Sequence, residues 1–308
     1  MRFTLRQLQI FVAVAQHESV SRAASLLALS QSAASTSITE LERQSSCQLF
    51  DRAGKRLSLN ALGHQLLPQA VALLDQAKEI EDLLGGKSGF GSLAVGATLT
   101  IGNYLATLLI GSYMQVHPES QVKLHVQNTA NIVQQVAHYE IDLGLIEGDC
   151  SHPDIDIQPW VEDELVVFCS PHHPLAQRGE ADHEALTREA WILREQGSGT
   201  RLTFDQAMRR HRSHLNIRLE LEHTEAIKRA VESGLGIGCI SRLALRDAFR
   251  RGSLVPVATP GLDLSRQFYF IWHKRKYQTS AMREFLELCR TFTAGAQRSD
   301  EIVLPSIA

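Results

Sequence analysis

Two stretches carry hydroxyl groups at spacings suited to holding a small polar molecule. "ATLTIGNYL" (97–105) puts Thr98 and Thr100 at the end of an apolar run, with Ile101 and Gly102 opening a helical pattern. "EQGSGTRLTFD" (195–205) repeats the device, with Ser198, Gly199 and Thr200 before a helix and Arg201 adding positive charge. Hydroxyls beside free helix N–H groups make a niche ready for an anion. Glu147, ending "LGLIEG", and Glu225, after Thr224 at the head of "TEAIKRAV", stand at comparable places. Each has a plainer use: Ser and Thr cap helices everywhere. Glu147 could meet an amino group, donate a proton or cap a turn. A third stretch, "LSQSAASTSITELERQ" (29–44), has a helical apolar face of Ala33, Ala34, Ile38 and Leu41. Its other face carries Gln31, Ser32, Ser35 and Thr36. Such a face can lie close to DNA base edges, where Gln pairs with adenine and Ser or Thr with either base. A Ser/Ala-rich helix packed on a neighbour is the bland alternative.

Other chemistry finds little support. "GSGT" lacks the lysine and length of a phosphate-binding loop, and "GLGIG" falls between a helix and a strand, which reads as a turn. His172–His173 and His211/His214 do not make a metal cluster. No catalytic residue, metal or cofactor is expected. Five scattered cysteines without a C-x-x-C pair read as reduced cytosolic thiols.

These groups need elements to position them. Leu5, Leu8, Phe11, Val12 and Ala15 trace one face of a first helix, and Ser19 or Ser21 can cap a second that carries Ala23 and Ala24. A short turn leads to the third, the helix-turn-helix arrangement that seats its second helix in the major groove. "LFDRAGKRLSLNALG" (49–63) suits a two-stranded wing with a basic tip, where Arg52, Lys55 and Arg56 would meet phosphate. A long helix over 61–86 is expected after Asn60, with a near-heptad stripe (Leu62, Leu66, Ala70, Leu73, Ala77, Ile80, Leu84) suited to a second copy. Pro68 predicts a kink or break near Leu67. After a Gly/Ser hinge at 87–91, strand and helix patterns alternate over 92–300, implying α/β units with largely parallel sheets.

Bulk properties agree. At 308 residues the chain has room for two or three domains. Residues 1–60 carry seven Lys/Arg against four Asp/Glu, +3, whereas the rest carries 24 against 30, −6. A basic end on an acidic body hints at a polyanion partner. The longest apolar runs are too short to span a bilayer and no signal peptide is visible, so a cytoplasmic protein without membrane contact is expected.

The N-terminal segments "LRQLQIFVAVAQHES", "AASLLALSQSAASTSITELE", "LFDR" and "LSLNALG" resemble, in order, spacing and length, the LysR-type transcriptional regulators. The resemblance covers nearly the whole chain. It implies a winged helix-turn-helix (1–60), a linker helix (61–86) and a two-lobed effector domain like periplasmic binding proteins. Lobe I would comprise 92–162 and 267–300, and lobe II 163–266, with crossovers near Trp160–Asp163 and Leu264–Phe268. Gln31, Ser32, Ser35 and Thr36 match the family's groove-facing positions, and Arg52 its wing arginine. Two departures stand out: Thr36–Ser37 where the family often has a longer polar pair, and Ser45–Ser46 where it usually has Leu–Gly. The resemblance places the two hydroxyl-bearing loops across an effector cleft and implies a dimer or a tetramer.

The expected function is sequence-specific binding of promoter DNA under control of a small-molecule effector, first a small anion, second an amino acid or other zwitterion. The rival is a solute-binding module or enzyme on the two-lobed body, since folds do not fix functions.

Overall fold

The computed structural model describes residues 3–53, 56–86, 90–209 and 215–303. Three helices open the chain: α1 (Leu5–His17), α2 (Val20–Leu26) and α3 (Gln31–Ser45). Each starts at a hydroxyl that accepts a backbone N–H: Thr4 from Gln7, Ser19 from Arg22, Ser30 from Ala33. Ala23, Ala24 and Ala34 are buried, and their small side chains let the helices close on Leu8, Phe11, Ile38 and Leu41. At the end of α3, Ser46 adopts φ 50°, the left-handed conformation that favours glycine. Its N–H donates to the Arg43 carbonyl at 3.2 Å. Replacing the family's usual Leu–Gly by Ser45–Ser46 therefore keeps the turn, at the cost of strain.

Strands β1 (Phe50–Ala53) and β2 (Arg56–Leu59) pair antiparallel, Phe50 opposite Leu59 and Arg52 opposite Leu57. Lys55 lies outside the described residues. Helix α4 (Ala61–Leu84) begins at Asn60, whose side chain accepts the Gly63 N–H at 2.9 Å. Gly63 is needed there: a Cβ would sit 2.2 Å from the Leu49 carbonyl oxygen. The expected break at Pro68 does not occur. Pro68 deletes one helical hydrogen bond, but it is buried with Ala70 and Val71, and the latter two join the N-terminal core. That packing holds the helix together. It also divides the predicted stripe: Ala70 turns inward, whereas Leu62, Leu73, Ile80 and Leu84 remain exposed.

The body runs β3 (Ser92–Thr98), α5 (Leu99–Ile101), a π-helical turn (Gly102–Ala106), α6 (Thr107–Val116), β4 (Gln121–Gln127), α7 (Thr129–Ala137) and β5 (Leu143–Glu147). It continues with β6 (Ile155–Cys169), α8 (Pro174–Arg178), α9 (His183–Arg188), β7 (Ala190–Arg194), α10 (Gly199–Ala207) and β8 (Asn216–Leu221). Last come α11 (Thr224–Glu232), β9 (Ile237–Ser241), α12 (Arg242–Arg251), β10 (Val255–Val257), β11 (Ser265–His273) and α13 (Ser280–Thr293). Strand order is β4-β3-β5-β11-β6-β9-β7-β8, with β10 paired to β6. Leu143, Leu145, Phe268, Phe270 and Phe285 centre the first lobe's core; Val167, Trp191, Phe204 and Ile237 centre one core of the second.

The sheet is mixed rather than largely parallel. β3 lies parallel to β4 and β5, and β7 to β8 and β9, but β11 is antiparallel to β5 and β6, and β6 to β9. The reason is topological. β6 and β11 carry the chain between the lobes in opposite directions, and they pair where they cross, Asp163 opposite Arg266.

The N-terminal domain and α4 rest on the first lobe. Gln16 donates to the Tyr139 carbonyl at 2.6 Å, and the Tyr139 side chain joins the N-terminal core. The Tyr139 hydroxyl meets His273 Nδ1 at 2.8 Å. Lys276 bridges Asp75 of α4 and Asp142 at 2.8 and 2.7 Å, and Glu79 accepts from Tyr277 and the Ser280 N–H.

Candidate nucleic-acid interface and effector cleft

On α3 the apolar face is buried through Ala34, Ile38 and Leu41, leaving Gln31, Ser32 and Thr36 exposed and Ser35 half-buried. Gln31 and Thr36 make no side-chain hydrogen bond among the described residues, while the Ser32 hydroxyl meets that of Ser30 at 3.0 Å. The backbones of Arg52 and Arg56 stand on the wing ladder.

In the body, the two hydroxyl-bearing loops do face each other, but their niche is already filled. Glu147, 1% exposed at the end of β5, inserts its carboxylate between them. Oε1 accepts the Thr100 N–H at 2.7 Å, and Oε2 accepts the Thr200 hydroxyl at 3.1 Å. Arg266 closes the arrangement: Nη1 lies 2.8 Å from Glu147 Oε2 and donates to Thr200 Oγ1 at 2.9 Å, while Nε donates to Asp163 Oδ2 at 2.6 Å. Asp163 Oδ1 accepts from Ser241 at 2.7 Å and from Ser299. Burial opposes ionisation of Glu147, but Arg266, Arg194 and hydrogen bonds from Thr100 and Thr98 outweigh it and hold the carboxyl below its ordinary value. For Asp163 burial wins and pushes the carboxyl up. Burial would weaken the Arg266 cation, yet the two carboxylates raise its pKa. Of the uses open to Glu147, the geometry is that of a cap: it accepts hydrogen bonds and is no proton donor.

The remaining candidates separate. Ile101 is wholly buried in the first core, and Gly102 is a packing residue, since a Cβ would meet the Val126 side chain at 2.8 Å. The Arg201 guanidinium turns to Asp205, the Arg194 carbonyl and Glu220. Glu225 of the second lobe meets the Tyr104 hydroxyl of the first, and Lys228 at 2.6 Å, and bonds to none of Glu147, Thr100, Thr200 and Arg266 among the described residues. Asp163 and Arg266 went unrecognised as site residues. The available signal is a pair of acids, Glu162 and Asp163, in one crossover segment and a lone arginine, Arg266, in the other, beside the apolar runs "LVVFC" and "FYFIW".

Beside this seam lies a cavity of about 660 Å³ between the lobes. One wall holds Thr129, Asn131 and Gln134 at the start of α7, with Cys150 and His152; the other holds Ser198, Gly199 and Leu202 of α10, with Arg209. Gly199 is one of the points where the lobes touch: its N–H donates to Thr129 Oγ1 at 3.1 Å, and a Cβ would sit 1.9 Å from the Glu147 carbonyl oxygen. Ser198 caps α10 through the Arg201 N–H. No cluster of metal-ligating side chains occurs among the described residues, nor a helix long and apolar enough to cross a membrane.

A helix-turn-helix with a wing, a long helix and a two-lobed α/β body define an effector-responsive DNA-binding regulator. The family model "LysR substrate binding domain" matches residues 87–294, and "Bacterial regulatory helix-turn-helix protein, lysR family" matches 5–64. The chain therefore belongs to the LysR family: it is a DNA-binding transcriptional regulator with an effector-binding domain, and its relatives are regulators rather than enzymes. It is 44% identical over 289 residues to YeiE of Escherichia coli K12, an uncharacterized HTH-type transcriptional regulator, covering 94% of this chain and 98% of that protein. The full-length OxyR structure from Pseudomonas aeruginosa superposes with TM-score 0.68 at 23% identity, covering 94% of both chains. The CcmR regulatory domain of Synechocystis, solved in complex with 2-PG, superposes with TM-score 0.63 at 30% identity, covering 67% of this chain and 99% of that one.

Proposed function

We propose that the protein binds a promoter site through residues 1–60, pairs through the linker helix 61–86, and is switched by a small anion held between lobe I (92–162, 267–300) and lobe II (163–266). Gln31, Ser32, Ser35 and Thr36 read the groove, and Arg52, Lys55 and Arg56 contact phosphate. Two recognition helices brought together by α4 would address a pseudo-palindrome. The exposed Leu62, Leu73, Ile80 and Leu84 support that pairing, in a dimer or a tetramer. A DNA partner puts the protein in the cytoplasm.

The observation that carries the effector reading is the cavity between the lobes. The starts of α7 and α10 lie on opposite walls, so their positive dipole ends and Arg209 favour negative charge against the single carboxylate of Asp149, Arg201 and Asp205 in the same lining being paired with each other. The relative with bound 2-PG supports the same class. The seam of Thr98, Thr100, Glu147 and Thr200 is the floor on which the lobes close. A ligand that prefers one lobe arrangement shifts the whole assembly.

The test is selection of sheared genomic DNA on the purified protein, followed by footprinting with a panel of small oxyanions, carboxylates and amino acids. A palindromic site whose footprint changes with one anion supports the reading. A response to amino acids alone would replace the anion by a zwitterion. Uniform, salt-sensitive binding with no enriched site would overturn sequence-specific recognition.

A further inference from the structure

We infer that Glu147 is a tethered ligand: its carboxylate occupies an anion site built between the lobes from Thr100, Thr200 and Arg266, and without it that site takes a free small monocarboxylate. The donors come from both lobes and converge on one carboxylate, with Thr100 N–H at 2.7 Å, Thr200 hydroxyl at 3.1 Å and Arg266 Nη1 at 2.8 Å. Every donor is at least nine-tenths buried. Arg266 Nη2 is likewise buried and makes no hydrogen bond among the described residues, so the guanidinium has donor capacity beyond what Glu147 and Asp163 use.

Charge and size name the class. Arg266 faces two carboxylates, Glu147 and Asp163. Deleting Glu147 leaves the Arg266–Asp163 pair, and a monoanion restores the original balance, whereas a dianion over-corrects it. Truncation to alanine removes a –CH2–COO⁻ group, which acetate matches in size and shape. Planar carboxylates suit the guanidinium fork and hydroxyl donors. It follows that the lobes meet their requirement for an anion at this seam internally, and that closure here needs no effector. The inference concerns the seam alone and stands whether or not the neighbouring cavity takes the effector.

The experiment uses the full chain, wild type, Glu147→Ala and Glu147→Gln, titrated with sodium acetate against sodium chloride at equal ionic strength. Glu147→Ala should melt below wild type, and acetate at ten times its dissociation constant should raise its midpoint by about 2–3 °C, saturably. Wild type and Glu147→Gln, whose sites remain filled, should not respond. Adding Thr200→Val to Glu147→Ala should weaken acetate binding several-fold. If Glu147→Ala does not accumulate folded, its refolding yield in acetate against chloride is the readout, and acetate should raise it. A Glu147→Ala protein that responds to acetate no more than wild type, in melting or in refolding, overturns the inference.

Discussion

The recognition helix and the seam between the lobes are built from the same residue types, and they use them oppositely. On α3, Gln31 and Thr36 stand in solvent without internal partners, on a helix held from behind by Ala34, Ile38 and Leu41. At the seam, the Thr200 hydroxyl is buried and committed to Glu147 and Arg266, and the Thr98 hydroxyl donates to the Leu145 carbonyl. An exposed hydroxyl keeps its hydrogen bonds with water until a partner displaces it. A buried one must find a partner within the protein, because leaving it unpaired costs about 1–3 kcal/mol. The difference decides what mutation does in each place: one region should lose recognition without losing stability, and the other should lose stability first.

The sharpest way to break this contrast is at Arg266. Arg266→Ala leaves Glu147 and Asp163 buried without the cation they share, so unfolding in urea should show a loss of about 3–5 kcal/mol. A loss below about 1 kcal/mol would mean that the seam is wetter than its burial implies. On the other side of the comparison, Gln31→Ala should leave urea unfolding within about 0.5 kcal/mol of wild type. It should cost about 1–3 kcal/mol of discrimination between the selected site and single-base variants in competition binding. Arg52→Ala should instead weaken binding to all sequences and reduce the salt slope by about one. An unchanged slope would remove Arg52 from the interface.

A smaller effect tests the contact between the N-terminal domain and the first lobe, at Tyr139 and His273. Burial holds the His273 imidazole below its ordinary value; Asp154 opposes this, while Arg275 and His152 reinforce it. Nδ1 receives the Arg275 N–H and meets the Tyr139 hydroxyl, which suits a neutral ring. The unfolded or undocked state therefore protonates first. Stability from this contact should be complete above the ordinary histidine value and decline as pH falls below it toward the folded value. His273→Asn should flatten that part of the stability profile. Least of all, Ser46→Gly should relieve the left-handed strain after α3 and raise stability by up to about 1 kcal/mol, without altering site preference. A destabilised Ser46→Gly would show that this serine contributes through its side chain instead.

Local pattern made some of the molecule legible. The caps at Ser19 and Asn60 and the apolar face of α3, apart from the exposed Ala33, depend on neighbours within a few residues, and each forms where the pattern puts it. The first half of β6, "IDIQPWVEDE", alternates weakly and carries acids and a proline, so its sequence alone marks no strand. It is a strand because β11 lies beside it. Ile101 and Gly102 looked like ligand-loop residues because they follow Thr100 in sequence; packing on β4 and the core decides otherwise.

What the sequence by itself determined is the order of parts and the character of the DNA-facing surface: small amphipathic helices, a basic wing and an alternating α/β body follow from periodicity, capping and charge, all of which act over short stretches. What only the tertiary structure decided is the fate of the buried charges. Glu147, Asp163 and Arg266 are separated by up to 119 positions in the chain and meet only because β5, β6 and β11 lie side by side. A charge leaves water only where opposite charge and hydrogen-bond donors surround it, and no local pattern records which distant residue will supply them.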